Sequence, residues 1–258
     1  VPLLIGAFLF VKGTDTFFTF GHSVTEFLFS GQWKPSDTAE GGGQVGAAMF
    51  LAGSLVTLSA GTSYFLALQP GLVNYMTEIA NAKRRRLIQP AIELFTGIPS
   101  VVLCFVGMTV LIPALRNLPD AFGFSVLAAG IVLAVMIFPT ITTMAADAMA
   151  AVPKSWREAS YGLGATRWER LLHVVPACSL TSGIFTGIIL AWPVPWASLA
   201  VAMVIGQMKV FPTSLFLPAS TLTTAISADM GGAMEGGEYN AALWTMALVL
   251  FLLSFLFI

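Results

Sequence analysis

DAMAAVPKSWREASYGLGATRWERLLHVVP, running from Asp147 to Pro176, is the longest polar interruption in the second half of a very apolar chain. Ser155-Trp-Arg-Glu158 has the spacing of a capping box, in which a hydroxyl accepts from the third helical N–H and a carboxylate reaches back. Pro153, just ahead of it, blocks continuation of the preceding helix. The pattern recurs as Thr166-Arg-Trp-Glu169. Between the two lies Tyr161-Gly162-Leu163-Gly164, whose glycines permit a sharp turn and close backbone approach. The segment therefore reads as two short helices joined by a glycine bend. Trp156, Leu163 and Trp168 are apolar groups on this polar stretch. A short helix carrying Trp outside a bilayer needs a surface to bury against, and a partner protein supplies one.

Composition points independently to a membrane. The 258 residues are 57% hydrophobic and 10% charged, with a mean hydropathy of +0.85. Soluble domains carry about 25% charged residues. The chain reads as an all-α integral membrane protein, with room for about six spans of about 20 residues each. A net charge of −1 gives no reason to expect nucleic acid or an acidic substrate. No nucleophile–base pair and no His/Cys/Asp cluster with metal spacing is visible, so neither an enzyme nor a metal site is expected. Cys104 and Cys178 lie in apolar runs and read as buried free thiols rather than as a disulfide or metal ligands.

In chain order, the apolar run Val1–Val11 is too short to span, and the first helix is expected to begin ahead of Val1. The basic region and cleavage site of a signal peptide are missing. Thr14–Gln44 reads as a loop whose aromatics, Phe17, Phe18, Phe20, Phe27, Phe29 and Trp33, place it at an interface. Val45–Leu68 is the second span, rich in small residues suited to helix packing. Pro70–Gln89 is polar and contains Lys83-Arg-Arg-Arg86, read as a topology signal. Ala91–Leu111 is the third span, broken or bent by Gly97, Pro99 and Pro113. After a turn at Arg116–Asp120, Ala121 to Met149 is the fourth, with a kink expected at Pro139. Val174–Gly206 is the fifth. Lys209–Glu238 reads as an external loop whose apolar patch, Ser214–Ala219, is a re-entrant candidate. Tyr239–Ile258 is the last span, expected to be cut off at its end.

Orientation follows from the bias of Lys and Arg toward the cytoplasmic side. Eight of the 12 lie on one side: Lys83 to Arg86, Lys154, Arg157, Arg167 and Arg170. Lys12, Lys34, Arg116 and Lys209 lie on the other, which makes the 153–170 loop cytoplasmic. Ionisable groups inside a membrane are costly and usually functional. The candidates are Glu93 and Asp147, with Lys12 and Asp15 near the first span. Glu93 follows Pro90 and is placed in a first helical turn, where an acid suits the dipole; a transport role stands beside that reading. Asp147 has an interfacial or gating role or is simply solvated. His22 and His173 read as structural or solvated.

Glu158-Ala159-Ser160, three residues, then Gly164 resembles the EAA-x3-G loop of ABC-importer permeases. GLGATRWE is similar to the version in phosphate (Pst-type) permeases. Ile92–Val102, IELFTGIPSVV, resembles that family's IELLAGIPSVV segment. Leu199–Gln207, LAVAMVIGQ, is similar to MAVTMVIGN of the C-type subunit. Phe27–Pro35, FLFSGQWKP, is similar to the first external loop of the same subunit. The resemblance implies a single permease domain over 1–258 with the type I ABC-importer fold. It makes 153–170 a cytoplasmic loop docking an ATPase through Ser155, Trp156, Glu158, Ala159, Gly162, Gly164, Thr166 and Arg167. It implies a translocation path at Glu93, Ser100, Pro193, Pro195, Trp196, Ser198 and Gln207.

The same resemblance implies cytoplasmic ATPase subunits, a second permease subunit, an external solute-binding protein and the lipid bilayer as partners. It implies a multi-pass place in a bacterial-type inner membrane. This chain is expected to bind no cofactor, ATP being hydrolysed by the partner. The chain also departs from the family. Pst-type permeases carry RAxGET ahead of MAVTMVIGN, its Arg and Glu belonging to the phosphate path. Those positions here are Pro193 to Ser198, with Pro193 for the Arg and Ala197 for the Glu. An altered solute pocket is therefore expected. A permease-derived structural subunit that no longer transports is the alternative.

Overall fold

The computed structural model describes residues 2–38, 41–74, 80, 82–117, 122–166, 169 and 199–256. The chain divides into two compact units. The first holds Val1–Gly61, Ser100–Leu133 and Pro193–Ile258; the second holds Thr62–Pro99 and Ala134–Trp192.

In the first unit, α1 (Pro2–Phe18) packs antiparallel on the last described helix, Glu238–Leu256. Small residues let the two backbones approach, as in membrane helix pairs generally. A Cβ on Gly13 would lie 2.9 Å from Leu248 Cβ and 3.1 Å from the Trp244 carbonyl, and one on Gly6 would meet the Phe251 ring. Phe8 meets Trp244 edge-to-face at 5.4 Å. At the buried centre Thr16 and Thr245 share a 2.7 Å hydroxyl bond, and Thr245 Oγ1 also donates to the Gly13 carbonyl.

The helix therefore continues past Thr14, where the sequence reads as loop. Thr14 Oγ1 bonds back to the Phe10 carbonyl at 2.8 Å, and Thr16 has its partner on the facing helix. Such back-bonding satisfies a hydroxyl without breaking the helix. Among its described residues, the remainder of the expected loop also carries regular elements. It carries α2 (Val24–Phe29) and a two-residue antiparallel ladder of β1 (Trp33–Lys34) with β2 (Gln44–Val45). Phe27 and Trp33 are buried, and the Trp33 ring packs edge-on against Phe50 and Tyr239.

This segment is fastened by one carboxylate. Glu238 is 0% exposed and accepts from the Ser36 N–H at 2.8 Å, the Gly43 N–H at 2.9 Å and the His22 ring. The expected external loop thus ends one residue early, because Glu238 is the first residue of its helix. His22, read as structural or solvated, is structural: its Nε2 faces this acid.

The centre of the first unit is built around breaks in helices. α3 (Ala48–Asn74) belongs to this unit as far as Gly61 and runs on past Pro70, so less of Pro70–Gln89 is loop than expected. Ser54 Oγ on α3 accepts from the Leu222 N–H at 3.1 Å. α5 (Ser100–Val106) continues through a π-helical turn at Gly107–Leu111 into α6 (Ile112–Leu115). Gly107 lets Val132 and Val204 approach, each 3.0 Å from where its Cβ would be. α7 (Val126–Ala150) has all four of its first N–H groups satisfied. Val126 and Leu127 donate to the Leu217 and Leu215 carbonyls, and Ala128 and Ala129 to the Oγ and carbonyl of Ser125. The apolar patch Ser214–Ala219 is thus the cap of α7. Its neighbours are α9 (Leu199–Ile205) and α10 (Leu222–Asp229), the latter capped by the Thr221 hydroxyl.

In the second unit, α4 (Ala82–Thr96) begins at the basic run, so Glu93 sits about three turns in rather than in the first turn. Pro90 is tolerated inside this helix. Cations at a helix N-terminus oppose its dipole, so Lys83–Arg86 are not placed for helix stability, in keeping with a topology signal. The break expected at Gly97 and Pro99 is present, between α4 and α5. α7 ends in a buried cluster of Ala145, Ala146, Met149 and Val152, with Asp147 exposed, as simple solvation requires. Among the described residues, α7 and the helix Glu238–Leu256 are long and apolar enough to cross a membrane. Most of the expected fifth span lies outside the described residues, as does Cys178, while Cys104 is a buried free thiol.

Replacing a buried carboxylate that accepts two amide donors leaves those donors facing an amide. Glu238→Gln should destabilise the first unit by on the order of 3 kcal/mol, read as a lowered Tm of the detergent-solubilised protein. An unchanged Tm would show that the 20–45 segment is held by its apolar contacts alone.

Candidate functional site

Two places in the described residues carry chemistry, one in each unit. The first is the polar interruption that follows α7. Its opening helix, α8, spans Lys154–Gly162. The expected capping box at Ser155–Glu158 is not formed. Pro153 is the N-cap, with φ −57° and ψ 141°, and no side chain caps the helix. Starting two residues earlier than read, the helix places Ser155 inside its first turn, where a hydroxyl cannot take the extended conformation an N-cap needs.

The bend and the second box are as expected. Gly164 has φ +83°. Its N–H bonds to the Tyr161 carbonyl at 3.0 Å, and the Ala165 N–H to the Ser160 carbonyl at 3.0 Å. This pair of bonds is the Schellman motif with Gly164 at the left-handed position. Nothing lies within 4 Å of a Cβ built on Gly164 or Gly162, so the demand at Gly164 is purely conformational. Two residues on, Glu169 Oε2 accepts from the Thr166 N–H at 2.7 Å while Thr166 Oγ1 accepts from the Glu169 N–H at 3.3 Å. That is the reciprocal capping box. Arg167 and Trp168 lie outside the described residues.

The outward face of α8 follows from helical spacing. Trp156, Ala159 and Leu163 stand at i, i+3 and i+7, one stripe of a helix. Trp156 is 54% exposed, Leu163 is 90% exposed and Ala159 between them is exposed. Ser155, Glu158 and Gly162 form the adjoining exposed row, while Ser160 is buried. Two large apolar side chains flanking a small one make a ridge with a notch, a shape that a groove in a partner can cover. Tyr161, also exposed, was not singled out in the sequence because nothing in its spacing distinguishes it.

The second place is a cavity of about 870 Å³ in the first unit, bounded by α9, α10 and the turn after α6. Phe122, Phe124, Met203 and Pro218 form apolar walls, and Arg116 and Gln207 bring polar groups to it. Gly206 (φ +99°) and Gly123 (φ +90°) shape its edges: a Cβ on Gly206 would lie 2.7 Å from Pro218, and one on Gly123 2.7 Å from the Arg116 side chain. Arg116 Nε points toward the Phe122 carbonyl at 3.4 Å. Sequence reasoning passed over Arg116 as part of a turn; its only signal was a cation immediately after an apolar run. Of the expected path residues, Gln207 lines this cavity. Ser100 opens α5 in the same unit but is not part of the lining, and Glu93 belongs to α4 in the other unit. Pro193, Pro195, Trp196 and Ser198 lie outside the described residues.

Residues 75–258 match the family described as the binding-protein-dependent transport system inner membrane component. A probable ABC transporter permease, YqgH of Bacillus subtilis, is 45% identical over 98% of this chain and 82% of its own length. The phosphate transport system permease PstC of Pasteurella multocida is 31% identical over 93% of this chain and 78% of its own. Among solved structures, a chain of the MetNI methionine ABC transporter in an inward-facing conformation superposes with a TM-score of 0.54. It is 25% identical and covers 82% of this chain and 88% of that one. The fold is that of the type I ABC-importer permeases, and the chain belongs to the family of binding-protein-dependent inner-membrane permeases as a Pst-type transmembrane subunit of an ABC importer.

Proposed function

We propose that this subunit belongs to an importer of the phosphate type whose own pocket has changed. A solute released by an external binding protein crosses through a permease pair when cytoplasmic ATPase subunits, seated on α8, close. The observation that carries this reading is the α8 element. A helix with an exposed Trp156–Ala159–Leu163 ridge ends in a Schellman turn at Gly164, and a capping box at Thr166–Glu169 fixes the chain that follows. Such a unit moves as one body, which is what transmission of force from a partner requires. Its placement on the cytoplasmic side rests on the eight-to-four division of the basic residues.

The expected test is coupling. At φ +83° a β-branched residue is strained by about 1–2 kcal/mol, whereas Asn tolerates the conformation. Gly164→Val should lower transport per ATP hydrolysed by about tenfold in proteoliposomes, and Gly164→Asn should leave it near wild type. Because no Cβ contact is made there, both variants should insert and fold. Undiminished coupling in Gly164→Val would overturn the role given to α8, and absence of transport by the unmodified complex would favour the non-transporting structural subunit.

For the solute, the departure at Pro193–Ser198 removes the arginine that Pst-type permeases place in the path. A planar guanidinium is the group best matched to a phosphate dianion. Arg116, on the wall of the cavity that also holds Gln207, offers a replacement within this chain. Solute-stimulated ATPase activity of the assembled complex should respond to phosphate, and Arg116→Gln should reduce kcat/KM about tenfold, as loss of one charge-assisted contact does. A response to neutral solutes but not to phosphate would overturn the anion assignment. Phosphate stimulation untouched by Arg116→Gln would place the positive group in the partner subunit.

A further inference from the structure

A cleft between α1 and the last helix, here α11 (Glu238–Leu256), is used by none of the chemistry above. Two cavities of about 190 and 680 Å³ share Lys12, Gly236, Asn240 and Trp244 as walls. Asp15 adds a carboxylate to the first and Glu235 to the second. All of these residues belong to the first unit. Among the described residues the ion pairs of this unit are His22–Glu238 and Lys209–Asp229, and Lys12, Asp15 and Glu235 belong to neither. Charges on helices at a membrane are costly unless paired or led to water. One cation and two anions held apart around a common cleft leave room for a ligand that carries both signs.

We propose that this cleft binds the headgroup of a phospholipid bearing a phosphate and a primary amine, with Lys12 on the phosphate and Asp15 and Glu235 on the ammonium. Three observations carry it. The first is depth. The C-terminal end of α1 and the N-terminal end of α11 lie together, and Trp244, one to two turns inside α11, marks the interfacial level where indoles concentrate. Lys12 is one turn deeper than Asp15, about 4.5 Å along the axis at 1.5 Å per residue. Glu235 precedes α11 and lines the larger cavity together with Lys12. In a phospholipid the phosphate is likewise the deeper charge and the amine the outer one.

The second observation is the continuation of the cleft. Phe8 lines its inner end against Trp244, and Leu4, Ile5 and Leu252 beyond it are exposed apolar side chains. Acyl chains have a surface to lie on. The third is the chemistry of the outer rim. Carboxylates and the Asn240 amide can accept N–H bonds from a primary ammonium. A quaternary ammonium has no N–H to give, and a glycerol headgroup brings no cation to two acids. The lipid is therefore of the phosphatidylethanolamine class.

The test is lipid retention. The detergent-solubilised transporter complex is equilibrated with equal amounts of phosphatidylethanolamine, phosphatidylcholine and phosphatidylglycerol and read by native mass spectrometry. Phosphatidylethanolamine should be retained about tenfold over each of the others, the ratio expected of charge-assisted bonds to the amine. Lys12→Gln should lower retention of phosphatidylethanolamine by a similar factor. Asp15→Asn with Glu235→Gln should erase the preference over phosphatidylcholine. Should the double variant not fold, Glu235→Gln alone, in an exposed turn, should at least halve the preference at unchanged Tm. Equal retention of the three lipids, preference for phosphatidylglycerol, or retention of phosphatidylethanolamine unaffected by Lys12→Gln would overturn the proposal. Saturation by free O-phosphoethanolamine at micromolar concentration would assign the site to a soluble solute and overturn the lipid reading.

Discussion

In a medium without water, every backbone amide and carbonyl left over by a helix must find a partner inside the protein. Much of this structure can be read as the consequence. α7, one of the most apolar segments, has each of its four leading N–H groups paired, two by Ser125 and two by carbonyls of the 214–219 patch. The patch is apolar because it lies in an apolar place, and irregular because its carbonyls are needed outward. Thr245 and Thr16 settle their hydroxyls on each other and on a carbonyl laid bare by Gly13. Glu238 solves the same problem in reverse. A single buried carboxylate collects the loose N–H groups of a glycine-rich segment and orders it.

At the other functional element the constraint is conformational rather than dielectric. α8 must stop abruptly and the chain must leave in a fixed direction. Gly164 adopts a left-handed conformation that other residues take at a cost, and the Schellman bonds absorb the last free carbonyls of the helix. The Thr166–Glu169 box then defines the next start within two residues. What remains outward is a strip of Trp, Ala and Leu with few polar demands of its own. On the proposed reading, this is the form a partner-docking element takes: a short helix with a fixed C-terminal end and an exposed apolar strip.

The sequence was most legible where the determinants were local. The glycine bend and the second capping box depend on residues within five positions of each other, and both formed as read. The first box failed by two residues, since Pro153 took the cap position and drew Ser155 into the helix. Helix ends were less legible. Thr14, Asp15 and Thr16 looked like the start of a loop, yet the partner of Thr16 lies 229 positions away. Glu238 was invisible as an organising group for the same reason, its three partners being 195 to 216 positions distant. Arg116 was missed because a cation after an apolar run reads equally as a turn, and only packing shows that it faces a cavity.

Contact between α8 and an ATPase is the point on which the account turns. Leu163 is 90% exposed at the end of the ridge. A photo-cross-linking residue placed there reports directly on what covers it. In inverted membrane vesicles containing the assembled transporter, irradiation should join position 163 to the cytoplasmic ATPase subunit, and stripping that subunit should abolish the adduct. Adducts to lipid or to an external protein, with none to the ATPase, would contradict both the orientation of the chain and the role assigned to α8.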